Sequence, residues 1–111
     1  KATTFVLLIG GLDMAELKNF LDSEGRLTAW PAKRKMKLQA LVWLAGKLEP
    51  GKTYTERELN AQLNSWHTFG DPVTLRRELV DHHFLGRTSY GSSYWMEPVQ
   101  PTLEDIEKLY G

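Results

Sequence analysis

A chain of 111 residues is long enough for one small core with appendages and too short for two independent domains. Lys plus Arg and Asp plus Glu both number 14, so the molecule as a whole exerts no pull on polyanions, and any electrostatic footprint must be local. The absence of Cys excludes disulfides, thiolate metal sites and a thiol nucleophile, which leaves packing alone to hold the fold.

Near the start, Phe5-Val6-Leu7-Leu8-Ile9 before Gly10-Gly11 is an apolar run that periodicity over so few residues assigns to neither helix nor strand. It is far too short to span a bilayer. With Lys1 alone ahead of it and no small-residue cleavage pattern behind, it makes a poor signal peptide. A cytoplasmic location is expected, and the start at Lys1 in place of Met is what a piece of a longer protein would show. Asp13 is placed to cap a helix carrying Met14, Leu17 and Leu21 on one side, with Gly25 as its stop. Arg26-Leu27-Thr28-Ala29 reads as extended, and Pro31 opens the longest predicted helix. Its Leu38, Leu41, Ala45 and Leu48 recur at three- and four-residue spacing, and Glu49-Pro50-Gly51 ends it.

Lys52-Thr53-Tyr54 is a brief extended piece, and Thr55-Glu56-Arg57-Glu58 matches a capping box opening a helix through Leu59 and Leu63. Trp66-His67-Thr68-Phe69-Gly70 is the turn into the next helix, with His67 expected as a hydrogen-bonded structural residue that sets the angle between the two. Asp71 suits the N-cap and Pro72 the first helical position. Leu75 and Leu79 then fall on one face with His82 and His83 flanking it, while Thr74, Arg77 and Asp81 fall on the other. Phe84 to Arg87 and Tyr94-Trp95 read as a hairpin with Tyr90-Gly91-Ser92-Ser93 at its tip and Trp95 returning to cover the third helix. Pro98 and Pro101 break the chain before Thr102, which caps an acidic helix from Leu103 to Tyr110.

Helix, short strand, helix, turn, helix, hairpin is the order of a winged helix-turn-helix, an α+β fold that is mainly α. The expectation is an N-terminal extension over residues 1–24, a winged-helix domain over 25–98 in which Thr53-Tyr54 pairs with the wing, and a helical tail over 99–111.

The segments Gly25-Arg26-Leu27, Trp30-Pro31-Ala32-Lys33-Arg34-Lys35, Tyr54 to Asn60, Trp66 to Asp71 and Leu75 to Asp81 resemble the bacterial family called domain of unknown function 2087. The likeness spans roughly residues 20 to 97, and Pro72-Val73-Thr74 departs from it. The resemblance implies a context, since that family occurs in uncharacterised prokaryotic proteins and in transcriptional regulators, sometimes beside another helix-turn-helix module. It implies no activity.

Function rests on the charged constellations. Lys33, Arg34, Lys35 and Lys37 fall in the first turns of the long helix, where each cation costs about 0.3–1 kcal/mol against the macrodipole at low salt. One reading is phosphate contact; the other is a solvated face neutralised by Asp22 and Glu24. Arg76 and Arg77 on the third helix can meet guanine or phosphate, or pair internally, Arg77 with Asp81 and Arg76 with the acidic side of helix two. Arg87 begins the wing, whose tip has no Lys or Arg. Thr74 on the outward face completes the candidate DNA-binding set.

His67, His82 and His83 with Asp71 or Glu78 could be read as metal ligands, but adjacent residues diverge by about 100° on a helix and no metal is expected. The chain shows no nucleophile elbow, no phosphate-binding glycine loop and no paired carboxylates in a recognisable setting; a non-enzymatic protein without a cofactor is expected. The expected partner is duplex DNA, contacted mainly through its backbone, with no membrane association. Phe5 to Ile9 or the Leu103 to Tyr110 helix is expected to form a homodimer contact. The alternative is a winged helix serving as a protein-interaction or dimerisation domain without direct DNA contact, which the zero net charge favours.

Overall fold

Leucines at helical spacing and two inward tyrosines decide where the core lies. The computed structural model describes residues 15–102 together with 104 and 105. In chain order its elements are a 3-10 helix (Ala15–Phe20), α1 (Arg34–Ala45), β1 (Thr53–Thr55), α2 (Glu56–Asn64), α3 (Pro72–Asp81), β2 (Leu85–Arg87) and β3 (Ser93–Met96). Among the described residues the fold is thus a small α+β arrangement of three α-helices and one antiparallel sheet with strand order β1-β3-β2. The expected homodimer segments, Phe5 to Ile9 and all but Glu104 and Asp105 of the C-terminal helix, lie outside the described residues, as do Asp13 and Met14.

Leu38, Leu41, Leu44, Leu59, Leu63, Leu75 and Leu79 from the three helices are buried together with Leu27, Phe84 and Leu85. Leu17, within the expected N-terminal extension, joins the same core. Thr53-Tyr54 pairs with the C-terminal strand as expected: Tyr54 stands opposite Tyr94, and both rings are buried. The capping box at Thr55 has both of its bonds, Glu58 N–H to Thr55 Oγ1 at 3.1 Å and Thr55 N–H to Glu58 Oε1 at 2.9 Å. At the C-terminal end Thr102 and Asp105 make the same reciprocal pair, with Thr102 Oγ1 accepting from Asp105 N–H.

Four expectations need correction. Over its described residues, Ala15–Phe20, the first expected helix is a 3-10 helix that ends at Phe20. Leu21 leaves it to bridge Leu27, and Gly25, at φ 78°, serves the turn between them rather than a helix end. The Asp22 carboxylate outcompetes helix continuation there by accepting from the N–H groups of Glu24 and Arg26, both at 2.9 Å. The long helix starts at Arg34 and not at Pro31, because Lys33 has an extended backbone (φ −77°, ψ 136°) and Pro31 is buried ahead of it. It ends at Ala45 and not at Leu48: past Gly46 the chain tightens through Lys47 N–H to Leu44 O and Leu48 N–H to Ala45 O, which still buries Leu48. Finally, Trp95 does not cover α3. Strand alternation turns Tyr94 inward and Trp95 outward, where the indole lies over Gly86 of the facing strand; a Cβ at residue 86 would stand 2.5 Å from Trp95 Nε1.

α3 ends in a Schellman arrangement in which Phe84 N–H donates to Leu79 O at 2.9 Å and His83 N–H to Val80 O at 3.0 Å. This requires a left-handed residue at 83, and His83 takes φ 68° without being glycine. His83→Gly should therefore be more stable than His83→Ala by about 1 kcal/mol in urea unfolding, since only the alanine retains the Cβ penalty. Leu79, with no exposed surface, tests the packing directly: Leu79→Ala should destabilise by about 2–5 kcal/mol through the cavity it leaves, read as a lower denaturation midpoint.

Candidate nucleic-acid interface

The start of α3 is fixed by a side chain buried behind it. His67 Nδ1 lies 2.7 Å from Leu63 O at the end of α2, and Nε2 accepts from Asp71 N–H at 2.9 Å. A carbonyl only accepts and an amide N–H only donates, so the ring carries its proton on Nδ1. His67 thus joins the C-terminus of α2 to the N-cap of α3, the structural role expected of it. Asp71 then caps α3 by accepting from Thr74 N–H at 3.2 Å, with Pro72 at the first position. The Thr74 hydroxyl and N–H hold the Asp71 carboxyl below its ordinary range.

This start sets which way each α3 side chain faces. Leu75 and Leu79 go into the core, while Val73, Arg77 and Asp81 are exposed on one outward stripe at four-residue spacing, with half-buried Thr74 beside it. Arg76 turns the other way. Its Nη1 donates to Asn60 Oδ1 at 2.6 Å, its Nη2 lies 3.9 Å from Glu56 Oε1, and the guanidinium stands 5.7 Å from the Tyr94 ring centre. With the side chain only 12% exposed, Arg76 is a latch between α3, α2 and β3, the internal alternative weighed for it. Asn60 carried no sequence signal for this part. Arg77, in contrast, has no ion pair with Asp81 or any other acid among the described residues.

Arg77 and Arg87 line a cleft of about 410 Å³ between α3 and the β2–β3 hairpin, together with Tyr90 and Gly91. Glu56 and Asp81 line it too, so its charge is mixed. On the opposite flank of α3, Arg34 and Lys37 of α1 line a second depression shared with Glu78 and His82. Lys33 and Lys35 are exposed beside them at the helix start, where no side chain caps α1 and no acid occupies the first turn. The expectation that Asp22 and Glu24 neutralise this cluster fails: both acids pair with Arg26, at 3.1 and 3.0 Å. Arg26, through its backbone N–H first, also draws the Asp22 carboxyl below its ordinary range. Lys33, Arg34, Lys35 and Lys37 have no acidic partner among the described residues.

The histidines do not converge. His82 Nδ1 lies 3.0 Å from Glu78 O, and no group of His, Asp or Glu able to hold a metal ion occurs among the described residues. No helix among those residues is long and apolar enough to cross a membrane.

What the fold and surface define is a small α+β domain with cations exposed around its third helix. The chain matches, over residues 26–96, the family described as an uncharacterised protein conserved in bacteria (DUF2087), and it belongs to that family. No curated protein and no solved structure matches it.

The two lowered carboxyls give a signed expectation. Each favours the folded state only when ionised, so the stabilisation is complete above the ordinary carboxylate range and is lost as pH falls through the lower folded values. Asp71→Asn, which keeps an acceptor oxygen without a titrating proton, should flatten the loss of stability as pH falls below about 5 and through the ordinary carboxylate range, measured by urea unfolding at successively lower pH.

Proposed function

We propose that this domain is a winged helix-turn-helix module of a transcriptional regulator, binding duplex DNA with α3 toward the major groove and the β2–β3 hairpin as its wing. The element order and the strand order β1-β3-β2 support the fold name, since the first short strand pairs with the returning strand of the hairpin. The observation that carries the DNA reading is electrostatic. Lys33, Arg34, Lys35 and Lys37 break the macrodipole rule without an acid to offset them among the described residues, and two of them share a depression with α3. A helix N-terminus with ammonium and guanidinium groups around it suits a phosphate. Arg87 of the hairpin, which lines the cleft beside α3, suits the backbone on that side.

A protein-interaction role is favoured by a different observation, the zero net charge together with Glu56 and Asp81 in the α3 cleft. Salt dependence separates the two. Fluorescence anisotropy with labelled duplexes should show binding that weakens as salt rises, with a log–log slope near −0.9 per neutralised phosphate. Replacing Lys33 and Lys35 together by Gln should make that slope shallower by about 1–2 and weaken all sequences alike. Absence of binding at low salt with the domain at high micromolar concentration would leave the interaction module as the better reading.

A further inference from the structure

The outward stripe of α3 carries a sharper consequence, which rests on the DNA reading above: we infer that Val73 and Arg77 determine sequence preference, selecting a thymine and a guanine one to two base-pair steps apart. Four residues along a helix advance about 6 Å, close to two base-pair steps of about 3.4 Å, so these two side chains meet neighbouring base edges when the first turns of α3 enter the major groove. Val73 is 44% exposed, although its branched side chain would pack well in a core. An apolar group in that position suits the thymine C5 methyl, and an unpaired guanidinium suits the paired O6 and N7 acceptors of guanine.

The remaining groups on α3 define which end goes in. Arg76 cannot reach a base while it holds Asn60, Glu56 and the Tyr94 ring. Glu78 and Asp81 place negative charge on the C-terminal half, which phosphates repel, whereas the first turn has no acid after the cap. The Asp71 carboxylate itself is occupied by Thr74 N–H. Insertion by the N-terminal end therefore brings Val73, Thr74 and Arg77 to the bases and keeps Asp81 outside.

The test starts with the whole chain and a pool of duplexes with a random core of about ten base pairs, one helical turn. Retained duplexes should be enriched in a thymine and a guanine within two steps. In a selected duplex, guanine-to-adenine replacement should weaken wild-type binding roughly five- to 150-fold. Deoxyuridine in place of that thymine removes only the methyl group and should weaken the wild type but not Val73→Ala. Substituting 7-deazaguanine removes the N7 acceptor and should weaken the wild type but not Arg77→Gln. Asp81→Asn should tighten binding to all duplexes without altering the preference. Enrichment without guanine, or variants that keep the wild-type discrimination, would overturn this assignment and leave DNA binding standing. Retention of no duplex at low salt would overturn both.

Discussion

A single buried imidazole determines how α3 is presented. His67 is 3% exposed and spends both ring nitrogens on backbone, one at the last turn of α2 and one at the N-cap of α3. Neither bond would be made to water at that depth, so loss of the ring would leave Leu63 O and Asp71 N–H to find other partners at a cost of about 1–3 kcal/mol each. The turn that holds the ring is itself tied down. Leu27 N–H donates to Trp66 O at 2.8 Å and Leu27 O accepts from Thr68 N–H at 2.9 Å, and the His67 and Phe69 rings meet edge to face at 4.6 Å. Rotation of α3 about its axis is thereby coupled to a strand-like segment more than thirty residues upstream. The facing of Val73, Arg77 and Arg76 follows from that coupling.

With α3 so oriented, the balanced charges of the chain are sorted by geometry. Arg26 takes Asp22 and Glu24 into a tight turn, and Arg76 takes Asn60 and Glu56 into the joint between α2, α3 and β3. Lys47 lies over Trp43 and Trp66, 5.2 and 4.7 Å from the ring centres, and Lys52 over Tyr54 at 4.8 Å. Such exposed or half-exposed contacts add little stability, but they occupy the cations that make them. Among the described residues, Lys33, Arg34, Lys35 and Lys37 at the start of α1 and Arg77 on the outward side of α3 are left without an acidic partner. Zero net charge is therefore compatible with a local excess of cations, which composition alone cannot reveal.

The parts of this fold that were legible in the sequence are those specified within four or five residues. Thr55 with Glu58, Asp71 with Pro72, and the Leu75/Leu79 pair each define a local hydrogen bond or face, and the structure contains all three. The misplacements have two causes. The 3-10 helix and α1 stop where competing local bonds win, Asp22 accepting from Glu24 and Arg26 N–H and Lys47 and Leu48 N–H tightening onto Leu44 and Ala45 O, whereas Trp95 faces away because Tyr94 is needed opposite Tyr54, a partner distant in the chain. Alternation along Ser93-Tyr94-Trp95-Met96 allowed either aromatic to point inward, and only the register with β1 chose Tyr94. At the candidate interface, residue types were legible but their availability was not. Arg76 and Arg77 are neighbours of identical chemistry, and the 100° between them on the helix separates a latch from a free guanidinium.

Three departures from local rules stand out in the described residues, and their settings differ. Gln39 is buried in α1 with neither amide atom hydrogen-bonded, but at 1% exposure it offers nothing to a ligand and acts as a cost within the core. His83 holds a left-handed backbone, and the two Schellman bonds together with the burial of Phe84 offset that strain where it arises. The cations at the start of α1 have no such local compensation. They repel the helix dipole and one another, they are not capped, and the nearest acids in sequence are engaged by Arg26. A repulsion that the folded chain does not relieve by itself is relieved by an added anion, and an anion with regularly spaced charges relieves it at several residues together. That asymmetry is the physical reason the proposed DNA-binding surface is placed at α1 and α3 rather than at the buried glutamine or the strained turn.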